Sequence, residues 1–489
     1  MSINLTRRHL IGSAAALGAT AFAGSASARN MCQKPARWDH SADVVIVGAG
    51  GAGLAAAIMA KEAGASVAVL EKLAFPGGNT AISGGGMNGV IAAESKKTGI
   101  DDSPKLHAEQ TLAAGDFRAN PELVRQYAEK MPETIEWFRK LGIEFTPIYQ
   151  IYGGLYPRCR NPQGENGHAF VLAMLKRLKE LGTEVQTGHK VTAFVREEPN
   201  AGRVIGVEVE TGGKKEYWEA KKGVVATAGG YAGNAALCAE FDPRLVKLNT
   251  TNGAGSTGEV MLAMQDIGAM TIGLDYIQCI PGIAPGYKAV GNLIQVIEYS
   301  IFVNKEGKRF VAEDSRRDVI RDATLAQTDQ IVYPLTDSVG FAHDNKFQGE
   351  ANKRAMKEGV LFEAQTIKEL AGKIGVPADQ LEKTIAEYNA EIDSKKDPFG
   401  RNPKMLVHKI EKAPFYAGPI GMARHHTMGG VRIDKEARVL DRYGKVIPGL
   451  YAAGEVTGGI HGTNRVGGNA LGDAFTYGRI AGTSAAKAV

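Results

Sequence analysis

The sequence predicts an α/β protein, a Rossmann-like parallel sheet interrupted by an inserted α+β domain. Three observations predict it. Asp43–Gly53 reads DVVIVGAGGAG, so a short apolar run, Val44–Val47, ends in Gly48, Gly50 and Gly53 and is followed by an alanine-rich stretch. The same strand-then-glycine pattern returns at Gly223–Gly230 and Gly449–Gly454. Between residues 276 and 415 it gives way to mixed helix and strand signals, and the glycine-rich chain resumes at Gly418. We therefore divide the chain into a leader (1–28), a first dinucleotide-binding part (40–275), an inserted capping domain (276–417) and a second dinucleotide-binding part (418–489).

The leader comes first. Thr6-Arg7-Arg8-His9-Leu10-Ile11 precedes a modestly apolar Ala/Gly stretch and the small-x-small sequence Ala26-Ser27-Ala28. This is a twin-arginine signal with a cleavage site, too short and small-residue-rich to span a membrane. It predicts export to the periplasm of a protein already folded around its cofactor.

In the glycine turn, Gly48 makes the bend, Gly50 admits a pyrophosphate, and Gly53 lets the next helix pack on the strand. Gly51 and Ala52 open that helix, whose N-terminus favours an anion. The next strand, Ser66–Leu70, ends on Glu71, 18 residues after Gly53, where an acid that binds ribose belongs. Phe75–Asn88 carries Gly77, Gly78, Gly84, Gly85 and Gly86 among Asn79, Thr80 and Ser83. Such a run suits a backbone surface lying flat against a planar ligand better than a helix or strand. It contains no histidine.

Residues 101–148 read as helices, with Asn120-Pro121-Glu122 as a helix start and Pro132–Leu141 as an amphipathic segment. Gly153–Asn166 is a polar loop, and His168–Leu181 a helix. Strands follow at Glu184–Thr187, Val191–Arg196, Arg203–Glu210 and Lys215–Ala220, with a separate buried strand at Gly223–Ala228. Ser256 or Thr257 is placed to cap the helix beginning near Glu259. In the insertion, Leu370–Gly375 and Ala378–Ser394 read as helices. A last helix follows the block Gly454–Asn469.

Composition sets limits. A chain of 489 residues, 44% hydrophobic and 23% charged, supports a sizeable core. Net charge is +5, about +3 without the two leader arginines, and no basic run stands out, which argues against nucleic acid. Cys32, Cys159, Cys238 and Cys279 lie far apart and form no C-x-x-C motif, so no metal site and no attached haem are expected.

Four blocks then carry a resemblance: Gly48–Gly53, Gly77–Met87, His425-His426-Thr427-Met428-Gly429-Gly430 and Gly454–Asn469 (GEVTGGIHGTNRVGGN). With these the chain resembles the flavoprotein subunits of fumarate reductase and succinate dehydrogenase, particularly the soluble periplasmic flavocytochrome c branch. The resemblance covers residues 40–489 and implies FAD. Its cradle is implied at Gly48, Gly50, Gly51, Ala52, Gly53, Glu71 and Lys72, and in the glycine run at Gly77, Gly78, Asn79, Thr80, Ser83, Gly84 and Gly85. It continues at Val191, Ala228, Gly229, Thr257 and Gly258, and ends at Gly454, Glu455, Asn469, Ala470 and Leu471. Members with covalent flavin attach it to a histidine in the stretch matching Gly77–Met87, so FAD is expected to be noncovalent here. Without a haem domain, electrons are expected from a separate cytochrome c or quinol-linked donor, with no direct membrane insertion.

Reducing an activated C=C bond requires a hydride from flavin N5, stabilisation of charge on the substrate carbonyl, and a proton. The resemblance gives the carboxylate to His425, with His426 as the alternative one register away, and to Arg465. It gives proton donation to Arg317. The family's His-Pro-Thr is replaced by Gln278-Cys279-Ile280-Pro281, and its Thr-Glu-x-x-Arg by Leu293–Tyr299, where Glu298 or Tyr299 is the available substitute. One carboxylate clamp is therefore intact and the other end is changed. The implied substrate is a small unsaturated carboxylate, fumarate-like or a monocarboxylate such as an acrylate or arylacrylate. A dehydrogenase working in reverse on a saturated acid or ketosteroid-like compound, and a flavin-bearing electron-transfer or binding protein, are the alternatives.

Overall fold

The computed structural model describes residues 33–151, 156–199, 201–290, 293 and 297–488. The leader at 1–28, Cys32, the start of the loop Gly153–Asn166 and most of 291–296 lie outside the described residues.

From the N-terminus run β1 (His40–Val47), α1 (Gly51–Glu62), β2 (Val67–Glu71), β3 (Val185–Thr187), β4 (Lys190–Glu198), β5 (Ala201–Thr211) and β6 (Lys214–Ala226). The inserted region contributes β7 (Ile277–Ile283), α2 (Arg317–Leu325) and β8 (Val332–Asp337). Then come β9 (Ile420–Thr427), β10 (Val446–Ala452) and α3 (Asn469–Lys487).

The larger sheet has the order Arg438–Leu440, β10, β6, β1, β2, β3, with β4 and β5 extending it antiparallel from β6. β1 lies parallel to both β2 and β6, and its Val44–Val47 is buried, as a strand covered on both faces must be. α1 and α3 cross closely because small residues face each other. A Cβ on Gly482 would stand 2.0 Å from the Ala56 oxygen, and one on Gly478 would stand 2.4 Å from that of Ala52.

The second sheet runs β7, β9, β8, Phe415–Ala417, Phe362–Ala364, with Ile301–Asn304 paired to β8. Leu335, Leu370, Leu381, Tyr388 and Leu406 bury a separate core beneath it. This sheet reaches past residues 276–417 on both sides, since β9 and Asn249–Thr250 belong to it.

Three local readings are corrected. Lys215–Ala220 and Gly223–Ala228 are one continuous strand, β6, whose first half pairs with β5 and whose second half enters the parallel core. The glycine run forms one helical turn, Gly78–Ile82, because Gly77 takes φ +118° and its N–H binds the Ala49 oxygen at 2.8 Å. Tertiary pinning there overrides poor helix propensity. The helix at Glu259 is capped by the backbone of Gly258 in a left-handed conformation, and neither Ser256 nor Thr257 caps it.

Candidate active site

The three motif glycines behave differently. Gly48 has φ +97°, and a Cβ there would meet Ala228 Cα and the Thr227 oxygen at 2.9 Å. On Gly53 a Cβ would stand 1.9 Å from the Gly48 oxygen, and on Gly50 it would meet nothing within 4 Å. The first and third glycines therefore serve the fold, and the second faces open space. α1 begins there without a side-chain cap from Gly50; its first N–H, on Gly51, is taken by Thr80 Oγ1, and those after it face that space. α3 likewise starts at Gly468 with no side-chain cap, ahead of Asn469, Ala470 and Leu471. Gly84 also borders open space. Two uncapped helix starts around bare glycine backbone fit a pyrophosphate and a planar ring, so FAD suits the residues present.

The other predicted cradle residues are held by their own neighbours. Glu71 accepts the Ala49 and Leu73 N–H groups, each at 2.9 Å. Gly51 N–H binds Thr80 Oγ1 at 3.1 Å, and Gly77 bridges to Gly50. Asn79 joins Asn252, Gly253 and Ser256, and Gly229 approaches only Ser256 Oγ, at 4.0 Å. Ser83 donates to the Thr80 oxygen and accepts nearby at Gly85. Lys72 is paired with Thr257 and Glu259, and Val191 is buried in the main core. Gly454 takes φ +76° against Ala52. Burial raises the Glu455 carboxyl to about 7, although it accepts the Thr427 N–H at 2.9 Å. The side chain of Asn469 is fully engaged by Asn88, His107 and Thr111.

The substrate-side residues meet where the two sheets adjoin. β7 and β9 run antiparallel with Gln278 opposite His426, and a bulge then pairs Cys279 with Arg424. Such a bulge re-aims the neighbouring side chains. α2 packs on these strands and starts with Arg317. Gln278 Oε1 accepts from Arg317 Nη1 at 2.9 Å and from Arg465 Nη2 at 3.0 Å. Gln278 Nε2 donates to Asn464 Oδ1 and to the Arg465 carbonyl. Two guanidinium groups thus share one neutral oxygen. Burial and the Arg317 charge hold Arg465 down to about 9, and its buried Nε has no hydrogen-bond partner.

Burial, then the Arg465 charge, drives His425 and His426 well below the usual imidazole range, so both are neutral. His425 Nδ1 pairs with Thr251 Oγ1 at 2.7 Å. His426 leaves Nδ1 buried and unpartnered and stands edge-on to His461 at 5.6 Å, which binds Asp473. Arg317, Arg465 and the histidine pair are therefore brought together. Tyr299 is not part of that group: its ring stacks on His343 at 4.3 Å, in the same short turn as Glu298.

Gln278 is the residue that sequence reasoning passed over. It was visible only as the point where a familiar pattern breaks. Among the described residues no cluster of His, Cys, Asp or Glu is arranged to hold a metal. Cys159, Cys238 and Cys279 are buried and unpaired. No helix there is long and apolar enough to cross a membrane.

The FAD binding domain family matches residues 43–471. NADH:acrylate oxidoreductase of Vibrio harveyi is 34% identical over 92% of this chain, which spans about half (51%) of that relative. The acrylate reductase flavoprotein subunit of Shewanella woodyi is 34% identical, covering 98% of this chain and 97% of the relative. A flavocytochrome c3 fumarate reductase in its open conformation superposes with a TM-score of 0.79 at 31% identity, over 99% of this chain and 81% of that one. The glycine cradle and these matches together show that the chain belongs to the FAD-binding flavoprotein family of the fumarate reductases and succinate dehydrogenases, and is an FAD-dependent oxidoreductase.

Proposed function

We propose that the protein reduces the C=C bond of a small α,β-unsaturated monocarboxylate in the periplasm, with electrons from a separate cytochrome c or quinol-linked donor. The observation that carries this reading is the convergence of Arg317 and Arg465 on Gln278 Oε1. Two guanidinium groups meeting at one amide oxygen make a positively charged locus that favours a carboxylate. FAD, held noncovalently, supplies the hydride chemistry.

The chain's own groups do the rest. A carboxylate beside Gln278 gains charge-assisted hydrogen bonds from both arginines, each contributing roughly 1.5–3 kcal/mol. The neutral ring of His425 or His426 donates one more. Arg317 delivers the proton to the substrate carbon, aided by repulsion from the Arg465 charge beside it. Between residues 289 and 304 there is no Lys, Arg or His to hold a second carboxylate. That supports a monocarboxylate over fumarate, as do the two relatives named for acrylate.

The test is steady-state turnover of the FAD-loaded protein with reduced methyl viologen and acrylate, an arylacrylate and fumarate. Either monocarboxylate should outpace fumarate, and Arg317→Ala should lower turnover by roughly 10²–10⁴-fold with FAD retained. Absence of turnover with all three overturns the reading. Oxidation of the saturated acids with an artificial acceptor, and no reduction, reverses the direction.

A further inference from the structure

Arg316 and Arg317 are adjacent but face different partners. Arg317 reaches Gln278, whereas Arg316 crosses to the dinucleotide-binding domain. There Arg316 Nη1 and Nη2 bind the two oxygens of Asp116 at 2.6 and 2.9 Å, and Arg316 also holds Asp318 on the first turn of α2. One turn later Asp322 accepts from Arg244 at 3.0 Å, and Arg244 is itself braced by Asp242.

We propose that Asp116 and Arg244 are positioning residues that pin α2, at its start and at Asp322 one turn on, to the dinucleotide-binding domain and so hold Arg317 at the substrate, a reading that rests on the role given to Arg317 above. Exposed ion pairs alone contribute little, but this one is bidentate and networked, the geometry in which such pairs count. Its backbone is also built for the purpose. Asp116 and Phe117 both have φ +54°, an uncommon conformation for Asp and an outlier for a bulky aromatic residue. The Phe117 side chain is 73% exposed, so packing does not offset that strain.

Contacts with the Arg465 loop hold the turn in place. Thr463 N–H binds the Gly115 oxygen at 3.2 Å, and the Thr463 hydroxyl donates to Asp116. A side chain on Gly115 would stand 2.3 Å from the His461 oxygen. The turn therefore joins the loop that carries Arg465 to the helix that carries Arg317. The paired state also holds the Asp116 carboxyl low, near 2, through the Arg316 hydrogen bonds.

The experiment uses the FAD-loaded enzyme, with peptide-resolved hydrogen exchange and steady-state kinetics on acrylate. In Asp116→Ala, exchange over 317–325 should quicken about tenfold, the signature of local opening. Turnover should fall by roughly 10–10², because a displacement of about 1 Å costs on that order, and KM should rise with it because Arg317 also holds the carboxylate. FAD content and melting temperature should match the parent, and Asp116→Glu should restore most of the rate. Arg316→Lys, which keeps the charge but cannot bind in bidentate fashion, should reproduce the defect if Asp116→Ala misfolds. Unchanged exchange over 317–325 overturns the proposal, as does faster exchange spread over the whole molecule with a lower melting temperature. Full turnover in Arg317→Ala would instead remove the reading above, and the exchange experiment would still decide the pinning of α2.

Discussion

Gln278 accepts from two cations at one oxygen, and the charge at this position is therefore a sensitive variable. Gln278→Glu would place a carboxylate between Arg317 and Arg465. That residue would stabilise the crowded arginines and compete with the substrate for them. We expect a higher melting temperature and a KM raised by at least about tenfold, since a charge-assisted bond contributes roughly 1.5–3 kcal/mol. Calorimetry and steady-state kinetics on the FAD-loaded variant check both signs, and an unchanged KM would remove the anion site. The role of Gln278 was not legible in the sequence because its partners lie 39 and 187 positions away. Arg465, inside a glycine block, was legible by resemblance. Adjacency in sequence said nothing of the His343 ring that stacks on Tyr299.

At the scale of elements, the turn from β1 into α1 separates folding from binding within six residues. Gly50→Ala adds a methyl where nothing lies within 4 Å, so the protein should fold with near-parental stability but bind FAD at least tenfold more weakly. Gly53→Ala drives a methyl to 1.9 Å from the Gly48 oxygen and should cost at least about 1–3 kcal/mol, or fail to fold. FAD titration and thermal melting distinguish the two, and equal loss of stability would contradict the division of labour. This turn was readable in advance because spacing and backbone freedom are local properties. The one-turn helix at Gly78–Ile82 was not, since a hydrogen bond from Gly77 to Ala49 decides it. β6 was read as two strands because its polar half pairs with β5 and its apolar half lies in the core.

At the scale of the molecule, two cores divide the labour, one around the glycine turn and one beneath the second sheet. The proposed export belongs to this scale, because a twin-arginine leader would carry a protein that has already folded. Replacing Arg7 and Arg8 together by Lys should leave the FAD-loaded protein in the cytoplasm, as fractionation and flavin fluorescence would show. Periplasmic recovery of that variant would exclude the route. The second sheet extends further than the change of composition at 276–417, because strand partnership obeys register and not residue content. The entry strand of the inserted region, β7, and its exit strand, β9, are hydrogen-bonded to each other along their whole length. Everything between them therefore hangs from one closed hinge of backbone. Length changes in this segment beyond α2 would leave Gln278 and the histidine pair, which stand on the paired strands, in place.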